Sequence, residues 1–148
     1  MPVSSVTIVL AGPPMAKQRV RATVVGGHAR VYTPERTLTY EARLAHAAQI
    51  VMDGRPLMEG PLQVFVEARI PIPESKPKRW KEAARAGQIR PTKKPDADNF
   101  AKVVDGLNLI VWADDAQIVD LRAVKFYSDK PEMRITVAPI NEDEGVFG

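Results

Sequence analysis

The sequence predicts an α+β fold, a mixed or antiparallel sheet packed with two main helices. Three observations carry that expectation. Segments rich in β-branched residues interleave with segments of helical period. Two long helical segments, 33–52 and 97–111, stand on either side of a long apolar strand at 62–72. The last two strand-like segments, 116–129 and 132–140, alternate around a turn at 128–131 and read as a hairpin, which disfavours a doubly wound parallel sheet.

Each element has its own signal. "SVTIVLAG" (5–12) is β-branched and stops at Gly12-Pro13-Pro14, so it is a strand followed by a turn. "KQRVRATVVGGHARVYTP" (17–34) alternates around Gly26-Gly27, the pattern of a hairpin or extended loop. In 33–52, Thr33 suits the N-cap, Pro34 the first turn, and Leu38, Ala42, Ala45, Ala48 and Val51 share helical spacing. Asp53-Gly54 ends that helix. "PESKPKRWKEAARAGQ" (73–88) is a short basic helix in a loop punctuated by Pro and Gly. The second main helix starts among aspartates at 97. Residues 1–140 are expected to form a single domain, and 141–148, "NEDEGVFG", an acidic tail.

A length of 148 residues suits one domain with its own core. Hydrophobic residues make up 45% and charged residues 26%, a globular composition. The net charge of +3 is a modest excess that by itself says little about a nucleic-acid partner. Without cysteine there are no disulfides and no thiolate metal sites, and a reducing cytoplasm is permitted. The opening "MPVSSVTIVLAGPP" has too short an apolar run to span a membrane and no basic stretch before it, so neither a signal peptide nor a membrane anchor is expected.

The segment "KPDADNFAKVVDGLN" (94–108), with "VWADD" (111–115) shortly after, gathers five aspartates in a basic chain. Asp96 and Asp98 are two residues apart at the approach to a helix, so an extended backbone turns both to one side. Lys102 follows Asp98 by one helical turn. Asp114 and Asp115 come after the helix has reversed the chain. Hard oxygen ligands without His or Cys suit Mg²⁺, or Mn²⁺ in its place, and not Zn²⁺. Such an ion activates water and offsets phosphoryl charge, and a neighbouring lysine steadies a developing oxyanion. The bland alternative stands beside this one. An aspartate at a helix start is often a cap, Asp98 and Lys102 can be a surface ion pair, and "ADD" can be a turn. Spacing alone leaves both readings open.

"DADNFAK" followed by "VWADDAQIVDLRAVK" resembles the RusA-type Holliday junction resolvases, crossover junction endodeoxyribonucleases found in bacteria and their phages. That family carries an Asp-x-Asp-Asn-x-x-Lys motif, a helix, and an Asp-Asp-x-Gln segment opening a strand. The match is close over 94–125, and "VYTPERTLTYE" and "IRPTKKPD" resemble stretches of phage members. The resemblance implies a RusA-like fold and a Mg²⁺-dependent endonuclease, acting as a homodimer in DNA recombination and repair, cytoplasmic and bacterial or phage-encoded. It puts the metal on Asp96, Asp98 and Asp115 and makes Lys102 catalytic. Asn99 and Asp114 match motif positions, and Asp120 matches an acidic position of supporting character. Asp105 is not carried over, because family members often place this aspartate one residue later.

The basic remainder supplies candidate DNA contacts. "KPKRWKEAARAGQIRPTKK" holds Lys76, Lys78, Arg79, Lys81, Arg85, Arg90, Lys93 and Lys94 and leads straight into Asp96. "KQRVRATVVGGHAR" adds Lys17, Arg19, Arg21 and Arg30 on a ribbon that can lie along a backbone. Both runs can equally be solvated outer faces. Trp80 can stack on an exposed base, or pack against the body, and packing is the simpler reading. His28 and His46 have no sequence partners, and Tyr32, Tyr40 and Trp112 suit the core. The expected substrate is a four-way junction cut by paired symmetric nicks. The alternatives are a nuclease for other branched DNA and a non-catalytic DNA-binding module of the same fold.

Overall fold

The computed structural model describes residues 5–17, 21–32 and 35–140. Among these residues six strands and three α-helices follow in the order β1 (Val6–Ala11), β2 (Arg21–Val25), β3 (His28–Tyr32), α1 (Glu35–Met52), β4 (Leu62–Pro71), α2 (Lys78–Arg85), α3 (Ala97–Ala101), β5 (Ile118–Ser128) and β6 (Glu132–Pro139). The α+β class holds. β1, β6, β4 and β5 form one mixed sheet in that order, and β2 with β3 forms a separate antiparallel ribbon around Gly26-Gly27.

The final hairpin does not form. β5 runs parallel to β4, and β6 runs antiparallel to β4 on its other side. The connection from Ser128 to Glu132 crosses the end of β4 beyond Pro71. Three linking residues suffice for two strand spacings, about 10 Å. Local alternation and turn residues suit either arrangement. What decides is the apolar content of β4, whose Leu62, Val64, Val66 and Ala68 are all fully buried. A strand of that kind gains most at the centre of a sheet, flanked on both edges.

The second main helix is shorter than its periodicity suggests. Only Ala97–Ala101 is α-helical, and Lys102–Leu107 continues as a 3-10 helix. Val103 and Val104 are β-branched and Gly106 is a weak helix former, so the segment has little preference for a longer α-helix. Val104 and Leu107, three apart and in line on a 3-10 helix, are both buried.

α1 runs Glu35–Met52 within the expected 33–52 and stops at Asp53-Gly54 as expected, where Gly54 takes φ +77°. Its phase differs from expectation. The stripe that enters the core is Tyr40, Leu44, Ala48 and Met52, whereas Ala42 is exposed and Ala45 and Val51 are half-buried. Alanine contributes little burial energy, so the larger side chains set the rotation. Thr33, Pro34 and the tail 141–148 lie outside the described residues.

One core joins these elements. Ile8 of β1, Leu44 of α1, Val64 and Val66 of β4, Ile135 of β6, and Phe100, Leu107 and Trp112 from the segment after α2 are all buried within it. Among the described residues no helix is long and apolar enough to cross a membrane.

Candidate nuclease site

α3 shows why the aspartates sit where they do. Phe100 and Ala101, then Val103 and Val104, turn into the core and fix the segment against the sheet. That leaves Asp96, Asp98, Asn99 and Lys102 on the outward side, with Asp96, Asp98 and Lys102 exposed and Asn99 half-buried. Asp96 stands at the N-cap with extended backbone, φ −69° and ψ 156°, yet its carboxylate makes no capping hydrogen bond to its helix. An aspartate in that position ordinarily caps, so the bland account of Asp96 is not realised. The Lys102 ammonium donates to Asn99 Oδ1 at 3.3 Å and stands 4.0 Å from Asp98 Oδ2. The Asp98 pair is long and solvated, and contributes little to stability. Its value is to keep a cation beside the Asp98 carboxylate.

Asp114 and Asp115 prove different in kind. Asp114 caps a 3-10 turn, Asp115–Gln117, by accepting from the Ala116 N–H at 2.9 Å. Gln117 completes that cap: its Oε1 accepts from the N–H groups of Ala113 and Asp114, both at 3.0 Å. Its amide nitrogen donates to the carbonyls of Met58 and Gly60 at 2.9 and 3.1 Å. Gln117 therefore fastens the aspartate loop to the loop before β4. The sequence reading gave Gln117 no role; the capping pattern Asp-x-x-Gln was the available signal. Asp115 is half-buried, and its Oδ1 accepts from the indole N–H of the fully buried Trp112 at 2.7 Å. Trp112 thus belongs to the core, as expected, and also fixes one oxygen of Asp115. Asp120 is exposed on β5 opposite Gln63 of β4.

The donor set is all oxygen, which fits Mg²⁺ or Mn²⁺ by chemistry. Among the described residues no three His, Asp or Glu side chains stand together closely enough to hold an ion. Mg²⁺ does not require such a cage, since it usually keeps several waters and takes one or two carboxylates plus a substrate phosphate.

The basic residues divide by what they touch. Lys78, Arg79, Lys93 and Lys94 are exposed. Arg85 pairs with Asp129 at 2.6 Å, and Arg90 lies 4.3 Å over the Phe126 ring. Trp80 packs edge-on against Tyr127 at 5.2 Å with Lys76 over its ring, so its indole is tied to the body. Lys17 meets Asp105 at 3.2 Å and Glu41 at 3.5 Å. Burial opposes its charge, but the two carboxylates outweigh that and hold its pKa above the usual lysine value. Its ammonium braces the segment after β1 and is not left for phosphate. Arg19 lies outside the described residues, as do the side chains of Arg21, His28, Arg30, Tyr32 and Leu38. His46 is exposed.

Comparison with known proteins bears on the family. The chain is 33% identical over 135 residues to the uncharacterized protein YqaN of Bacillus subtilis strain 168, an alignment that covers 88% of this chain and 93% of that protein. The family model described as endodeoxyribonuclease RusA matches residues 11–138, a span that takes in the acidic turn, the Trp112-anchored loop, β4, β5 and all of β6 but Pro139, and leaves out β1 except Ala11. The chain belongs to the RusA endodeoxyribonuclease family.

Proposed function

We propose that this protein is a Mg²⁺-dependent endodeoxyribonuclease that resolves four-way DNA junctions by paired symmetric nicks. The observation that carries the proposal is the outward-facing turn of Asp96, Asp98, Asn99 and Lys102, held from behind by Phe100 and Ala101, in a chain of this family. In this reading Asp96, Asp98 and Asp115 are the carboxylates that serve the ion, one or two directly and the rest through its waters, and the ion when bound would activate water and offset charge on the phosphoryl group. Lys102 places a positive charge where the transition state gathers negative charge. Asn99 orients the Lys102 ammonium, and Asp114 shapes the loop that carries Asp115. The exposed Lys78, Arg79, Lys93 and Lys94 carry the phosphate backbone toward the turn. Residues 1–140 form the single nuclease domain. A homodimer, working in the cytoplasm, matches a near-two-fold substrate with one site per chain.

The test is cleavage of end-labelled substrates with Mg²⁺. A four-way junction should be cut at symmetric positions while a linear duplex of the same sequence persists, and EDTA should stop the reaction. Equal or better cutting of a flap would replace junction resolution with a broader branched-DNA activity. A protein that sediments as a monomer both free and on the junction would overturn the dimer.

Trp112→Phe separates the core role of this residue from its hold on Asp115. Phenylalanine retains most of the apolar volume and removes the N–H donor. The expected stability loss is about 1–3 kcal/mol, read as a lower denaturation midpoint. Cleavage at moderate Mg²⁺ should fall by about 10- to 100-fold, the usual cost of losing a partner that orients a metal ligand. Unchanged cleavage in a folded Trp112→Phe would remove Asp115 from the metal site.

A further inference from the structure

The chain between α2 and α3 has no regular structure, yet it delivers Asp96 and Asp98 to the site. What holds it is β5, an edge strand of the sheet. Side chains alternate across a strand, and Lys125 lies opposite Ala68, a core residue, so it projects from the core face at the free edge. Phe126 projects from the other face. The incoming segment straddles that edge. On one side, the Arg90 guanidinium donates to the Lys125 carbonyl at 2.9 Å and covers the Phe126 ring at 4.3 Å. On the other, the Lys125 ammonium donates to the carbonyls of Lys93 at 2.9 Å and Pro95 at 3.1 Å. Pro95 directly precedes Asp96. Beyond the aspartates, the Lys17 N–H donates to the Asn99 carbonyl at 3.2 Å. The acidic turn is thus pinned just before and just after its carboxylates.

We infer that Lys125 is a positioning residue for the metal-binding turn, clamping the carbonyls of Lys93 and Pro95 so that Asp96 and Asp98 present their carboxylates together. A lysine has three donors and no acceptor. Two are spent on backbone that no helix or strand partner satisfies. The cation lies on the basic approach to the site, so composition alone would class it with the phosphate contacts. Its bonds to backbone carbonyls, and the arginine clasp on its own carbonyl, assign it to the turn. The inference rests on the reading of Asp96 and Asp98 as metal ligands.

Three proteins decide it: wild type, Lys125→Met, which keeps the stem and removes the donors, and Lys125→Arg, which restores donors at similar reach. Mn²⁺ binding to the DNA-free protein is followed by the loss of free-ion paramagnetic resonance signal. Junction affinity is measured in Ca²⁺. Lys125→Met should weaken Mn²⁺ binding by about tenfold, within the range for partners that orient metal ligands, and raise the Mg²⁺ midpoint for cleavage by a similar factor. Its junction affinity should change less than about twofold, and Lys125→Arg should recover most of the Mn²⁺ affinity. Amide exchange should quicken at Asn99 and Phe100 and not in β6. If Lys125→Met loses its cooperative melt, Lys125→Gln, whose shorter amide cannot span both carbonyls, takes its place with the same expectations. Unchanged Mn²⁺ affinity with weakened junction binding would overturn the inference and make Lys125 a phosphate contact. Wild-type Mn²⁺ binding that Asp98→Asn leaves intact would overturn the metal-site reading, and the inference with it. Binding that Asp98→Asn abolishes and Lys125→Met does not touch would overturn the inference alone.

Discussion

Asp98→Asn is expected to abolish cleavage of a four-way junction, by at least about a thousandfold or ~4 kcal/mol of lost transition-state stabilisation, while junction binding stays the same or tightens. The substitution is nearly isosteric. Asp98 is exposed, and among the described residues its carboxylate pairs only with Lys102, at 4.0 Å, so folding has little to lose. What changes is charge. An amide is a poorer ligand for a hard dication than a carboxylate, so rate falls. Removing a negative charge from the path of a phosphodiester also removes repulsion, so affinity does not. Asp96→Asn should behave alike, because Asp96 does not cap its helix and has no structural bond there to lose. Asp115→Asn should lose activity too, with some added cost from disturbing the hydrogen bond to Trp112. The measurement is single-turnover cleavage at saturating protein, with binding followed separately in Ca²⁺. Normal Mg²⁺-dependent cutting by Asp98→Asn would remove Asp98 from the site. Loss of binding in step with loss of cutting would make the turn a DNA contact and not a metal site.

The acidic turn was legible because its order along the chain is nearly its order in space. Asp98 and Asn99 stand four and three residues before Lys102, so helical spacing alone brings them together, and Asp96 precedes them at the extended N-cap. The hairpin prediction failed for the opposite reason. Strand partners are chosen by burial across the whole sheet, and nothing near 128–131 reports that β4, far earlier in the chain, lies between β5 and β6. The same non-locality hid the functions of Gln117 and Lys125. Gln117 reaches Met58 and Gly60, and Lys125 reaches Lys93 and Pro95, across separations of some 30 to 60 residues. Lysine shows the ambiguity most plainly. Lys17, Lys102 and Lys125 are alike in sequence terms. One proves to be a brace between carboxylates, one a cation beside the acidic turn, and one a clamp on backbone carbonyls. Charge counts cannot tell these apart, because the difference lies in which acceptors the fold supplies.

Lys102→Ala should therefore act unlike a substitution in the basic approach. Its expected effect is a fall of about 10²–10³-fold in the single-turnover rate on a bound junction, the usual scale for removing one donor that meets charge in the transition state. Affinity should change by less than about threefold, since one exposed cation among many adds little to ground-state binding. Lys102 is 59% exposed along its side chain, and among the described residues it donates only to Asn99 Oδ1, at 3.3 Å, so its loss opens no cavity and strands no buried partner. Lys102→Arg tests the same point. It keeps the charge but changes its shape, and a site that needs a compact ammonium beside Asp98 should regain only part of the rate. The salt dependence of binding separates the two kinds of cation. Neutralising Lys78 and Arg79 together should flatten the plot of log affinity against log salt, because each phosphate contact releases counterions. Lys102→Ala should leave that slope near the wild-type value and lower the rate at every salt concentration. If Lys102→Ala flattens the slope and the bound complex still cuts at the wild-type rate, Lys102 only holds the backbone, and the charge that meets the transition state must come from another residue.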